Sequence, residues 1–550
     1  MLPVLSALPI VVVIVLMIGL RKKSGVSLMA AWATSIVLAM IFWGMSIARA
    51  GQITFFGFLN AINVMLIIWC AIFLLNSMIK IKFVEAIGNG FNGISNDRRI
   101  QIIIIAYSFG AFVEGAAGFG TPGALAAPLL VGLGVPVFFA ALASLMANYS
   151  PVLFGAVGIP PVTGFNSAIQ PILYYEGYSP EQIDAIFHQL STFAGLTNII
   201  VGAFVPFLII SAIVYRDGRN RGLKDAFSIF PLALYCGLLF TVPVPLIFMA
   251  TGSAEIPSLF SALIALPVFT YSVKKGFLVP KEVYRFQDDP IIESTEAAQS
   301  GITARQAWMP YVIIAALLAI TRLPQLPFTR LLTGPDAFGV IRWANPLGFD
   351  LNFTLPVLNN PGLFPFLPVA LIYLIARKTS GEDVRAIFHK TNKQLKNAAL
   401  ALFFGVALVQ VMRFTSAPGV DLMPMTTAIA SGLANIFGAA FPLVSPLIGA
   451  LGAFVSGSHT VSNLMFYGLQ LETARFLALP GILIMMGQTS GASIGNMVAI
   501  HNAVSISATT GATGSEGKMI SAAFVPFILC CLAYSAIMFV MLAIGVNFIT

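Results

Sequence analysis

Residues Gly110 to Pro122, GAFVEGAAGFGTP, place a carboxylate and four glycines in thirteen positions inside sequence that is otherwise apolar. Glycine at that density, closed by Thr121 and Pro122, predicts a helix interruption. Backbone groups freed at membrane depth are tolerated only against protein or a wet cavity. Glu114 precedes the interruption, and charging a carboxyl there costs at least ~2.5 kcal/mol unless it is paired, hydrated or protonated. The stretch reads as the tip of a re-entrant hairpin and as a functional site.

The surrounding composition supports that reading. Of 550 residues 58% are hydrophobic and 9% charged, against roughly 25% charged in soluble domains. At ~20 apolar residues per span the chain divides into about twelve transmembrane helices and two hairpins. The expected fold is therefore an all-α polytopic membrane protein with no large soluble domain. The 29 Lys and Arg exceed the 21 Asp and Glu, but they fall in short loops, where they set topology, so a nucleic-acid partner is not indicated. Cys70, Cys236, Cys530 and Cys531 lie in apolar runs without CxxC spacing and read as small buried hydrophobes. Leu2 to Leu20 is followed by Arg21, Lys22 and Lys23, the reverse of a cleaved signal peptide's order. It is expected to be a retained first helix, with the N-terminus and finally the C-terminus outside.

In chain order, residues 1–275 form an N-terminal half with a hairpin at 100–134 and a broken helix at 136–160, interrupted by NYSP at Asn148 to Pro151. Residues 276–306 read as a cytoplasmic linker, and 307–550 as a C-terminal half with a hairpin at 442–470 and a broken helix at 475–500, interrupted at Gly487 to Gly491. Val84 to Ile94 and Met425 to Phe437 suit interfacial helices, His188 to Tyr215 one helix, and Leu323 to Asn360 a proline-rich outer loop with no evident function.

The halves share sequence. GAFVEG from Gly110 recurs as GAFVSG from Gly452, matching at five of six positions with an offset of 452 − 110 = 342. ANYSPVLFGA from Ala147 aligns loosely with GQTSGASIGN from Gly487, offset 487 − 147 = 340. An odd number of crossings between the copies makes the repeat inverted, and such repeats gather helix breaks near the bilayer midplane. Half-helix N-termini there favour a carboxylate or similar anion. Candidate lining residues are Gly115, Ala116, Gly118 and Thr121 from the first tip and Ser456, Ser458, Thr460, Ser462 and Asn463 from the second. The broken helices add Asn148, Ser150, Gln488, Thr489, Ser490 and Asn496. Each of these can also simply satisfy helix backbone; their clustering favours a site. Glu114 is either a proton carrier or a structural carboxylate, and His459 either a proton relay or a hydrogen-bonding group of its tip. His501 reads as interfacial, and Arg413 and Arg322 as side chains snorkelling from helix ends.

FGAFVEGAAGFGTP, LLVGLG, SPVLFGAVGIP and SGSHTVSN together resemble the bacterial lactate permease family over nearly the whole chain. The resemblance implies a secondary transporter of the bacterial inner membrane that takes up lactate or glycolate with protons, on an elevator-type scaffold that is often dimeric. Two positions depart from the family pattern. An acidic residue expected in the second tip, as in GSDTSSN, is His459, and a lysine expected in a GKM-like motif is Asn496. A carboxylate and a cation are thus missing together.

The expectation is proton-coupled symport of a small monocarboxylate, with no cofactor and no metal, the partners being the organic anion, the proton, the lipid bilayer and, through the scaffold, a second copy of the chain. A sodium-coupled or differently selective organic-anion carrier stands as the alternative. A membrane-embedded hydrolase ranks last, since neither HExxH nor paired membrane aspartates occur.

Overall fold

The computed structural model describes residues 2–20, 22–91, 93–118, 121–217, 223–287, 302–322, 326–333, 339–348, 353–416, 422–512, 514–546 and 548. Tip positions 119–120, residues 288–301 of the linker and parts of the 323–360 loop lie outside them. Among the described residues ten helices are long and apolar enough to cross a membrane, and four apolar helices are shorter. The protein is an all-α polytopic membrane protein. Its described β structure is one antiparallel pair, Val340–Trp343 with Phe353–Pro356, within the 323–360 loop. All four cysteines are free and buried.

Two long helices, Ile47–Lys80 and Gly381–Arg413, lie side by side and form a wall. Small residues set their approach, since a Cβ on Gly57 would fall 2.8 Å from the Ala407 Cα. Helices Leu2–Ile14, Ser24–Phe42 and Met425–Phe437 share a core with this pair.

Against the wall stand two helical hairpins. The first pairs Arg98–Ala116 with Thr121–Gly132, and the second pairs Phe441–Ser456 with His459–Phe476. Each is followed by an interrupted helix. After the first hairpin come Val137–Ala147, a 3-10 turn Ser150–Phe154 and Gly155–Ala168; after the second come Gly481–Gly495, a 3-10 turn Asn496–Val498 and Ile500–Thr510. The order of helix, tip, helix, half-helix, break, half-helix thus occurs twice.

The second break lies elsewhere than the glycines suggest. Gly487 to Gly491 run inside the continuous helix Gly481–Gly495, and the interruption begins at Asn496. These glycines serve close packing: a Cβ on Gly491 would lie 1.9 Å from the Pro446 carbonyl oxygen, and one on Gly449 would lie 2.2 Å from that of Gln488. Each first half-helix in fact ends on an asparagine, Asn148 and Asn496, 496 − 148 = 348 positions apart.

Other expectations shift as well. Within the 84–94 stretch the helix is Phe83–Asn89, with Phe83, Val84, Ala86 and Ile87 buried in the main core. Residues 188–215 belong to two helices, Pro180–Gly202 and Val205–Asp217. Arg98 and Arg99 do more than mark topology, because both are buried at the foot of the first hairpin. Arg99 pairs with Asp97 at 2.6 Å and donates to the Ser228 hydroxyl at 2.7 Å and the Glu282 carbonyl at 2.9 Å. A charge buried this deeply is tolerated only when so fully bonded.

Gly491→Leu should therefore cost about 3 kcal/mol or more through overpacking against backbone, whereas Gly517→Ala, with open space around it, should change stability by less than about 0.5 kcal/mol. Unfolding in detergent under denaturant checks both.

Candidate functional site

The first tip and the first break are locked together. Glu114 is 1% exposed, and its Oε2 has no hydrogen-bond partner among the described residues. Glycine makes room for the carboxyl, since a Cβ on Gly155 would lie 2.5 Å from Glu114 Oε1 and one on Gly118 3.1 Å from it. Gly118, with φ +60°, also meets the Ala156 Cβ. Gly115 packs on the backbone of Ser258 and Leu259, and the Ser258 hydroxyl donates to the Pro151 carbonyl at 2.8 Å. The break turns through three consecutive left-handed residues, Ala156 (φ 45°), Val157 (φ 55°) and Gly158 (φ 73°). Left-handed backbone costs an L-residue roughly 1–2 kcal/mol, so two residues here are held against their preference by the surrounding packing.

The second tip carries a buried polar cluster. The His459 Nδ1 lies 3.1 Å from the Val152 carbonyl, which can only accept, so Nδ1 holds a proton. Its Nε2 lies 2.9 Å from the Thr489 hydroxyl and 3.0 Å from the Asn463 amide Nδ2. The Asn463 Oδ1 is turned to accept from Gln488 Nε2 at 3.4 Å, so its Nδ2 donates and His459 Nε2 accepts. The ring is thus the neutral Nδ1–H tautomer, and it fastens the second tip to the first break. Gln488 continues the cluster, donating to the Ser462 hydroxyl at 3.0 Å and accepting from Gln470 at 2.7 Å, while Ser462 donates to the Gly449 carbonyl at 2.7 Å.

Between the tips lies a cavity of about 230 Å³. Thr121 of the first tip and Ser456, Ser458 and Thr460 of the second line it, and Ile68, Ile72, Gln394 and Leu402 of the wall close the opposite side. Two helix N-termini open there. Thr121 begins Thr121–Gly132, and Ser458 caps His459–Phe476 by accepting from the Val461 N–H at 3.3 Å. Unpaired N–H groups at such ends, next to hydroxyls, suit a small anion.

The other sequence candidates fall outside this lining. Ser456 stands where Glu114 stands in the first copy, yet Ser456 lines the cavity and Glu114 does not. Ala116 is buried. Ser150 faces Asn198, whose Nδ2 lies 3.4 Å from its hydroxyl. Asn148 Oδ1 and Ser490 Oγ are buried without partners among the described residues. Asn496 donates to the Ala492 carbonyl at 3.0 Å and accepts from Asn502 at 3.3 Å. His501, read from sequence as interfacial, lines the cavity with Ser24 and Ser505, and a Cβ on Gly457 would lie 2.7 Å from its Cβ. No local pattern marks these residues, because their place depends on which helix faces the tips. The Arg413 guanidinium lies 4.7 Å over the Phe414 ring, and the side chain of Arg322 lies outside the described residues.

Along the wall, Val64, Ile68 and Ile72 join Ala156, Ile159, Leu402, Val406 and Leu464 in one buried apolar cluster. This cluster seals the tip cavity on the side toward the start of helix Ile47–Lys80.

The chain is similar to known proteins over most of its length. The model of the L-lactate permease family matches residues 3–546. The chain is 30% identical to the L-lactate permease of Bacillus subtilis over 486 residues, covering 82% of this chain and 80% of that protein. It is 28% identical to the L-lactate permease and to the glycolate permease GlcA of Escherichia coli K12, in each case over 94% of this chain and 91% of the relative. Among solved structures the YdaH transporter of Alcanivorax borkumensis matches loosely, with a TM-score of 0.48 and 11% identity over 96% of this chain and all of that one.

Ala156→Gly, which removes a Cβ from a left-handed position, should leave stability unchanged or raise it by about 1 kcal/mol. Gly158→Ala should lower it by about 2 kcal/mol or more, because its Cβ would lie 2.3 Å from the Ala254 carbonyl oxygen at a left-handed φ. Denaturant unfolding of the two variants side by side tests the contrast.

Proposed function

The chain belongs to the L-lactate permease family, and on that premise we propose that it is a secondary active transporter importing a small monocarboxylate, lactate first and glycolate next, in symport with protons across the bacterial inner membrane. The observation that carries the reading is the cavity between two helical tips, where two helix N-termini and the hydroxyls of Thr121, Ser456, Ser458 and Thr460 converge. A carboxylate there receives N–H and O–H donors without a fixed cation. The tips and broken helices form an inverted repeat that moves as a body against the wall of Ile47–Lys80 and Gly381–Arg413, in the manner of an elevator. The clustering of basic residues puts both termini outside.

Coupling falls to Glu114. A buried carboxyl beside the first break with an unpartnered oxygen suits a group that crosses carrying its proton. With His459 and Asn496 standing where the family pattern has a carboxylate and a lysine, the second tip works without that charged pair. One proton moving with one monoanion makes the cycle electroneutral, so a pH gradient drives it and membrane potential does not.

In proteoliposomes under an inward proton gradient, L-lactate should accumulate, and imposed potential should not change the rate. Glu114→Gln should abolish accumulation while leaving lactate exchange at equal pH on both sides. Uptake that requires sodium at fixed pH would instead select the sodium-coupled carrier.

A further inference from the structure

Across the apolar seal from the tip cavity lies a larger one, of about 560 Å³. The same helix lines both. Phe56, Asn60, Asn63 and Val64 face the larger cavity, and Ile68 and Ile72 face the tip cavity. Val64 and Ile68 are one helical turn apart, about 6 Å along the axis, so that thickness of side chains separates the two spaces.

The larger cavity has a distinctive chemistry. Its lining includes the amides of Asn60, Asn63, Asn166, Gln170 and Asn345, and no charged side chain among the described residues. The side chains of Asn60, Asn166 and Gln170 make no hydrogen bond to described protein groups, so their donors and acceptors are left for whatever fills the space. Asn63 is oriented from behind, its Oδ1 accepting from Asn360 Nδ2 at 2.8 Å. The remaining wall comes from the 323–360 loop. Phe353 and Thr354 of the β-pair and Asn345 between its strands close the cavity. The Gln52 amide holds this hairpin to the wall helix by donating to the Leu347 carbonyl at 2.8 Å.

We propose that this cavity is an outer vestibule that collects small monocarboxylates through neutral amide donors, and that the β-hairpin of the 323–360 loop is its lid-side wall. The inference rests on the transport reading and on its orientation. Amide N–H groups solvate a single carboxylate and accept from a neighbouring hydroxyl, which fits a 2-hydroxy acid. A second carboxylate would enter with no cation to offset its lost hydration. The vestibule thus discriminates against dicarboxylates before the tips are reached, and without a charged partner it releases its occupant readily.

The test uses the full-length protein in oriented proteoliposomes. Asn60→Asp and Asn166→Asp each bring a like charge to the cavity and should raise the external KM for L-lactate at least about fivefold with little change in maximal rate. Asn166→Lys should make succinate a competitor of lactate uptake, which it is not for the parent protein. Unchanged KM in both aspartate variants, in a protein that transports, overturns the vestibule while leaving the transport reading intact. If the parent protein moves no monocarboxylate, the transport reading falls, and the vestibule is judged by labelling alone. Asn166→Cys, with the four native thiols buried, should react with an impermeant anionic thiosulfonate added outside, and L-lactate should slow that reaction. Reaction only from inside, or no protection by lactate, overturns the inference.

Discussion

A helix that stops inside an apolar layer leaves amide and carbonyl groups with nothing but protein to bond, and this constraint shapes the whole molecule. The first interruption meets it in part through the second hairpin, and the second through local partners. The Val152 carbonyl in the first break is taken by His459 of the second tip, and the Pro151 carbonyl by Ser258. The Pro160 carbonyl lies 3.4 Å from the Asn463 amide. Two of these three carbonyls in and after the first break are thus met from the second hairpin, and the third from Ser258 of the same half.

The two polar residues singled out in the second tip and second break, His459 and Asn496, are both bonded within the protein. An imidazole holding one proton can bridge a carbonyl on one side and a hydroxyl or amide on the other. His459 does this between Val152 and Thr489. Asn496 likewise turns to local partners, the Ala492 carbonyl and the Asn502 amide. Both are neutral groups whose bonds are met within the protein, whereas Glu114 of the first tip is a buried carboxyl whose Oε2 has no partner among the described residues.

The sequence disclosed the first tip because Gly110 to Pro122 combines two signals, glycine density and a carboxylate, that no ordinary membrane helix carries together. It misplaced the second break because glycine has two uses. At Gly118 and Gly158 it permits left-handed backbone, while at Gly449 and Gly491 it lets helices touch backbone to backbone. Local sequence does not distinguish the two. The better mark was asparagine at the end of each half-helix, a residue equally common on polar surfaces. The cavity's far wall, Ile68, Gln394 and Leu402, was illegible for a different reason: which helices face the tips is a tertiary fact, and apolar stripes look alike whether they meet lipid or protein.

The apolar cluster between the two cavities has a spacing worth following. Val64, Ile68 and Ile72 repeat every four residues down one stripe of the wall helix, while Ala156, Ile159 and Leu464 approach from the tip side. In the elevator movement proposed above, a slide of about 6 Å, four residues of helix, would exchange Val64 for Ile68 or Ile68 for Ile72 and present nearly the same apolar surface. Under the proposed movement the barrier to water would be degenerate along the path, a rack whose successive teeth are equivalent.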